Sequence, residues 1–114
     1  MPLEVVKWGI SQNSREERFF SNLNPCDKIV ALDEGGKSFT TRGLAEYLKA
    51  LLPACRNLYL FVGEATGHSD MVLKYAAERW ALSNMTMSYE IALIVIVEQL
   101  YRCMTIINGH PYHK

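Results

Sequence analysis

The sequence predicts a single α/β domain over residues 1–114, built on a mainly parallel sheet flanked by helices. Three observations carry this. Short apolar runs rich in β-branched and aromatic residues alternate with longer stretches of helical periodicity. The runs are continuous rather than alternating, the habit of strands buried on both faces. Each of the two clearest runs ends in a carboxylate or a glycine, where a chain turns.

The elements follow in order. "LEVVKWGI" (3–10) reads as a strand through Val5, Val6, Trp8 and Ile10. "SREERFFSNL" (14–23) reads as a helix, with Ser14 as N-cap and Glu17 three residues on as a capping box. "KIVALD" (28–33) is a second strand. "TRGLAEYLKALL" (41–52) places Leu44, Ala45, Leu48 and Leu52 on one helical face, with Thr40 or Thr41 as cap and Pro53 as stop. "NLYLFVG" (57–63) is a third strand. "SDMVLKYAAERWAL" (69–82) reads as one helix capped by Ser69, with Val72, Leu73, Ala76 and Ala77 facing inward. "NMTMSY" (84–89) is either a short strand or a loop.

Residues 89–106 admit two readings. Their β-branched content favours a strand and their length a helix. Glu98 and Arg102 stand four apart in the order that suits a helical ion pair, and Val95 shares their face. A helix is favoured. Its first two turns are apolar all round, so it needs cover on nearly every side. In so small a domain that points to a second subunit, a homodimer.

Composition narrows the function. Hydrophobic residues make up 49% of the chain and charged ones 21%, which excludes disorder. Twelve basic residues balance twelve acidic ones, so no global positive field announces a nucleic-acid binder. Cys26, Cys55 and Cys103 form no C-x-x-C pair and read as reduced, mostly buried thiols of a cytoplasmic protein. "MPLEVVKWGI" has no secretory core, and "IALIVIV" (91–97) is too short to span a bilayer, so no membrane association is expected. His110 and His113 are three apart, but Pro111 between them argues against a helical metal site, and no metal is expected.

The candidate site begins at "LYLFVGEATGHS" (58–69), where a strand, Gly63, Gly67 and a capped helix follow one another. Glycines there let a ligand approach the backbone, and the free N–H groups of a helix start favour an anion. The stretch is neither a Walker A sequence nor G-x-G-x-x-G, and a tight turn without ligand explains it equally. Asp33 and Glu34 lie at the same strand edge and read as solvated charges in a turn before Gly35 and Gly36. The tail "INGHPYHK" (107–114) gathers histidines and a tyrosine at a chain end, where fraying is the rule.

"IVALDEGGK", "LFVGEATG", "WALSNMT", "VEQLYR" and "INGHPYHK", with the spacing between them, resemble one family. Over roughly residues 28–114 the chain is similar to the SPOUT-class methyltransferases of the RlmH type. The resemblance implies an α/β knot with a deep C-terminal trefoil, a homodimer, and S-adenosylmethionine as cofactor. It implies methyl transfer to N3 of a pseudouridine in large-subunit (23S) rRNA, with large-subunit rRNA or the assembled ribosome as the partner; the neutral overall charge favours the assembled ribosome over free RNA. Leu32, Gly63 and Gly67 match the family's cofactor contacts, and Ser83, Asn84, Met85, Thr86, Met87 and Ser88 match the loop that wraps the adenine. Arg102 would stand near the dimer seam, facing RNA or the Glu98 carboxylate, and, with Tyr112 and His113, would be a catalytic residue. Tyr112 and His113 would stand at the target base, where His113 takes the N3 proton, or a nearby group polarises the ring, or "PYH" merely plugs the knot.

The pattern is broken in places. Glu64 stands where the family has a second glycine; it would either bind the amino group of the methionine moiety or block the pocket. Ser88 and Tyr89 replace a proline and a histidine, and Leu93 an arginine. One strand and helix are missing before "IVALD", with "LEVVKWGI" matching the family's second strand better than its first. The alternative these departures raise is a degenerate SPOUT homodimer that binds RNA or a ligand without methyl transfer.

Overall fold

The computed structural model describes residues 13–63 and 67–113, without the side chains of 13–15. The expected strand at 3–10, the Ser14 side chain and Glu64 lie outside what is described; the backbone of α1 begins at Asn13, so Ser14 stands inside the helix rather than at its N-cap. Among the described residues, three parallel strands form the sheet in the order β2-β1-β3: β1 (Lys28–Ser38), β2 (Leu58–Val62) and β3 (Glu78–Ala81). Among the same residues, four α-helices accompany them: α1 (Asn13–Ser21), α2 (Thr41–Leu51), α3 (Asp70–Tyr75) and α4 (Tyr89–Ile107).

The central strand organises two apolar layers. Its successive side chains point to opposite faces. Val30 and Leu32 meet Leu44, Leu48, Trp80, Ile96, Leu100 and Cys103 from α2, β3 and α4. Ile29 and Ala31 meet Phe20 and Val72 from α1 and α3. The chain passes from β1 to β2 through α2 on one face and back across the sheet to β3 through α3 on the other. Helices on both faces explain why the sequence of β1 is apolar without alternation.

The helix caps are local. Thr40 Oγ1 accepts from Gly43 N at 3.0 Å, and Ser69 Oγ from Val72 N at 3.2 Å. Thr40, not Thr41, is therefore the cap of α2, and the Thr41 hydroxyl instead donates to Gln99 Oε1 of α4 at 2.6 Å. Pro53 does not stop the chain at once; a single 3-10 turn over Leu52–Ala54 follows α2.

The helix expected over 69–82 is overturned. It ends at Tyr75, and 78–81 form a strand. Helical periodicity would put Trp80 on the same side as Val72 and Ala76. As a strand, the segment instead delivers Trp80 to the α2–α4 layer, where it is 2% exposed. Burying an indole there stabilises by about 4–6 kcal/mol, far more than helix propensity distinguishes over a few residues. Ala77 N also donates to Ile29 O at 2.8 Å, beginning the pairing that covers the second edge of β1.

Strand β1 is longer than the sequence suggested. Its pairing with β3 breaks after Leu32 and resumes at Lys37, with Trp80 opposite both. Asp33–Gly36 is thus an excursion within the strand rather than a turn after it. A Cβ at Gly36 would lie 2.6 Å from the Arg79 carbonyl carbon and oxygen, so only glycine lets the strand close again. Of the three cysteines only Cys103 is buried; Cys26 is exposed, which corrects the expectation of mostly buried thiols. Residues 84–87 of the ambiguous "NMTMSY" stretch are loop.

Candidate functional site

The two segments of interest leave the C-terminal ends of β2 and β3, the strands that flank β1, and open α/β sheets bind ligands at such ends. Leu32 ends the buried part of β1 and Gly63 follows β2 directly; their strands pair, with Leu32 opposite Val62. Between them lies a residue to which the sequence assigned no role, His68. Its Nε2–H donates to the Leu32 carbonyl at 2.7 Å. Its ring also lies against Gly63, where a Cβ would come within 3.2 Å of it. His68 thereby ties the ends of β1 and β2 together. The one signal for it in the sequence was its place in "GHS", between Gly67 and the Ser69 cap. Gly67 has φ +89° and open space where a side chain would stand.

The second loop, 83–88, joins β3 to α4. Ser83 Oγ accepts from Met85 N at 3.0 Å, and Ser88 Oγ accepts from Ile91 N at 3.4 Å as the cap of α4. Thr86 Oγ1 donates to Glu34 Oε2 at 2.5 Å, and Arg79 Nη1 meets Asp33 Oδ2 at 3.4 Å. The two carboxylates of the β1 excursion therefore hold the loop and β3 rather than facing water alone. Asn84, Met85 and Thr86 are exposed, Met85 by 75%, and Met87 is half-buried. Leu82, just before the loop, lines a cavity of about 300 Å³ together with Trp80, Thr40, Thr41, Val95 and Gln99.

An adenosyl group would meet main-chain groups and small hydroxyls at the 83–88 loop, while the Leu32 carbonyl and Gly63 are covered by the His68 ring, which would have to turn aside to admit it. The cavity beside Leu82 is lined by none of Leu32, Gly63, Gly67 or 83–88 and lies between α2, β3 and α4.

The tail forms a separate cluster on α4. Arg102 Nε donates to both Glu98 oxygens, at 2.6 and 2.8 Å. Its Cζ lies 5.1 Å from the centroid of the Tyr112 ring, and its Nη1 is 3.2 Å from His113 Nδ1. Tyr112 in turn meets Tyr101 edge-on, with centroids 4.7 Å apart. The Glu98 carboxylate raises the Arg102 pKa against an opposing push from burial. Arg102, Tyr112 and His113, three positions inferred from resemblance, are thus in mutual contact. They do not sit beside the 83–88 loop along the helix. Arg102 lies thirteen positions after Tyr89 in α4, about 20 Å along the helix axis.

Tyr89 and Leu93 are half-buried in the first turns of α4. Among the described residues no group of three or more His, Cys, Asp or Glu could hold a metal ion. No described helix is long and apolar enough to cross a membrane.

Comparison with known proteins places the chain. Residues 7–113 match the family model described as "Predicted SPOUT methyltransferase". The chain is 46% identical over 98 residues to the "Ribosomal RNA large subunit methyltransferase H" of Methylococcus capsulatus, covering 86% of this chain and 63% of that protein. It is 39% identical over 104 residues to the protein of that name from Anaeromyxobacter sp., covering 91% and 68%. The protein of that name from Acinetobacter baylyi is 38% identical over 98 residues, covering 86% and 62%. The chain thus spans about two thirds or less of the length of most of these relatives. With a parallel sheet flanked by helices, backbone-rich loops at its strand ends and this match along nearly its whole length, the chain belongs to the SPOUT methyltransferase family.

Proposed function

We propose that this protein is an S-adenosylmethionine-dependent methyltransferase acting on N3 of a pseudouridine in large-subunit rRNA, within the assembled ribosome and in the cytoplasm. The observation that carries the reading is that Gly63, which follows β2, and residues 83–88, which follow β3, lie at the C-terminal ends of strands of one parallel sheet. Leu32, Gly63, Gly67 and residues 83–88 would hold the cofactor, and the trefoil threading implied for the family is part of the same proposal. When bound, the cofactor supplies a sulfonium methyl, whose bond to sulfur breaks with its electron pair left on sulfur as N3 forms the new N–CH3 bond. The chain's own task is then chiefly alignment of base and methyl.

The functional unit is a homodimer in this reading. Ile91, Ile94 and Tyr101 form an exposed stripe on α4, with exposures of 52%, 64% and 53%. Their spacing keeps them on one helix face. A second copy packed antiparallel along it would bring one chain's tail to the other's 83–88 loop, closing the gap that the length of α4 opens within one chain. The balanced charge of the chain suits a substrate recognised as an assembled particle rather than as free RNA.

The test is transfer of tritiated methyl to ribosomes from a strain lacking the family enzyme. Label in large-subunit RNA, lost on deleting residues 111–114 while the dimer still folds, is the expected result. Unlabelled RNA sinks the proposal. A second reading, a dimer that binds RNA or ligand without methyl transfer, draws on the His68 ring, which already occupies the space between Gly63 and the Leu32 carbonyl. Calorimetric titration with S-adenosylmethionine separates the two: no heat at millimolar concentration favours the second.

A further inference from the structure

Arg102 determines what His113 can do. An arginine side chain only donates hydrogen bonds. With its Nη1 3.2 Å from His113 Nδ1, that nitrogen must present its lone pair. A neutral imidazole carries a single N–H, which then resides on Nε2. With the Nδ1 pair engaged by Arg102, the tail presents an N–H at Nε2 rather than a bare nitrogen. Nor is Arg102 free to turn away. Glu98 holds its Nε with both carboxylate oxygens, and the Tyr112 ring lies 5.1 Å from its Cζ. Tyr112 is itself braced edge-on by Tyr101.

We propose that His113 serves as a hydrogen-bond donor through Nε2–H, polarising a ring carbonyl of the target base, and that Arg102 is the positioning residue that fixes this tautomer. The donor role rests on the methyl-transfer reading above; the tautomer does not. N3 of the base lies between two carbonyls. A donor on either draws electron density from the ring and makes N3–H more acidic. The N3 proton leaves to water, and the pair it leaves behind is the nucleophile. General base and donor are thereby distinguished by atoms: a base needs a bare nitrogen toward N3–H, whereas this tail offers an N–H toward an oxygen.

Nitrogen-15 NMR of the full-length protein labelled at histidine tests the tautomer without substrate or cofactor. Spectra of His68→Asn and His110→Asn variants identify the His113 signals. The expected spectrum has His113 protonated at Nε2 and bare at Nδ1. Arg102→Leu should release a mixture of tautomers, and Arg102→Lys, which keeps a donor, should retain the original one. A proton on Nδ1, or on both nitrogens at neutral pH, in the native protein overturns the assignment even if Arg102→Leu fails to fold. The donor role is tested on ribosomes. His113→Gln keeps an N–H and should turn over within about tenfold of the native enzyme, whereas His113→Phe should lose about a hundredfold or more, the usual effect of removing one preorganised donor. Equal losses in both variants overturn the donor role. A native chain that transfers no methyl overturns the functional reading and the donor role with it, while the spectrum still decides the tautomer.

Discussion

The two ends of the sheet are built on different principles. At its N-terminal end, β1 and β3 are joined by charge. Lys28 forms a salt bridge with Glu78, and the same carboxylate accepts from the Tyr47 hydroxyl and, at 2.9 Å, from Trp80 Nε1. Burial pushes the Glu78 carboxyl up, but the bonds from Lys28, Tyr47 and Trp80 outweigh it and bring the pKa down to about 2. The Lys28 pKa is raised, chiefly by its bond to Glu78. At the C-terminal end, beyond the last strand pair, the His68 ring donates to the Leu32 carbonyl and packs on Gly63, and the 83–88 loop is exposed at Asn84, Met85 and Thr86. One end gathers Lys28, Tyr47, Glu78 and Trp80 into a fixed partnership and resists change. The other leaves main-chain groups within reach of a ligand. Rigidity at the first is what lets the second stay open without loosening the sheet.

Four substitutions would break or sharpen that contrast. The largest effect belongs to Trp80→Ala, which empties the α2–α4 layer and removes a Glu78 partner; urea titration should show a loss of about 3–5 kcal/mol. Gly36→Ala comes next. Its Cβ would press on the Arg79–Trp80 backbone, which cannot swing aside, and the strain should cost about 1–3 kcal/mol in the same titration. Glu78→Gln should cost about as much at neutral pH or somewhat less, and it carries a pH signature. The Glu78 carboxyl is depressed from 4.5 to about 2. It therefore adds stability that is present above pH 4.5 and lost as the pH falls toward 2. Unfolding midpoints measured across that window should fall steeply in the native chain and more shallowly in the variant; parallel slopes would remove Glu78 as the acid-sensitive group. The smallest effect is His68→Ala, at the open end. It should cost about 1 kcal/mol of stability and weaken S-adenosylmethionine binding about fivefold by freeing the Leu32 carbonyl and Gly63. Tighter binding in that variant would show that the ring blocks the cleft rather than bracing it.

The sequence was informative where structure is local. Thr40 and Ser69 announce their helices by chemistry acting over three residues, and Glu98 and Arg102 announce α4 by a four-residue spacing. It was uninformative where partners lie far apart along the chain. "AAERWAL" has good helical periodicity, and only the proximity of β1 and the α2–α4 layer turns it into a strand. The Lys28–Tyr47–Glu78 group spans fifty positions, and none of its members is unusual alone. The candidate site divides in the same way. Gly63 and Gly67 could be suspected from turn chemistry. Residues 83–88, which would bind through backbone, have no side-chain signature and were reachable only through family resemblance. His68 was overlooked because a histidine beside a helix cap signals nothing until the Leu32 carbonyl is known to face it.

The interruption of β1 has a further consequence. Because Leu32 and Lys37 both stand opposite Trp80, the four residues between them form a closed detour of fixed length. Removing one would not merely shorten a surface segment. It would pull Thr40, and with it the start of α2, toward the sheet and uncouple the Thr41 hydroxyl from Gln99. Mutational scans should therefore find residue count at 33–36 under stricter constraint than residue identity, with Gly36 the exception on both scores.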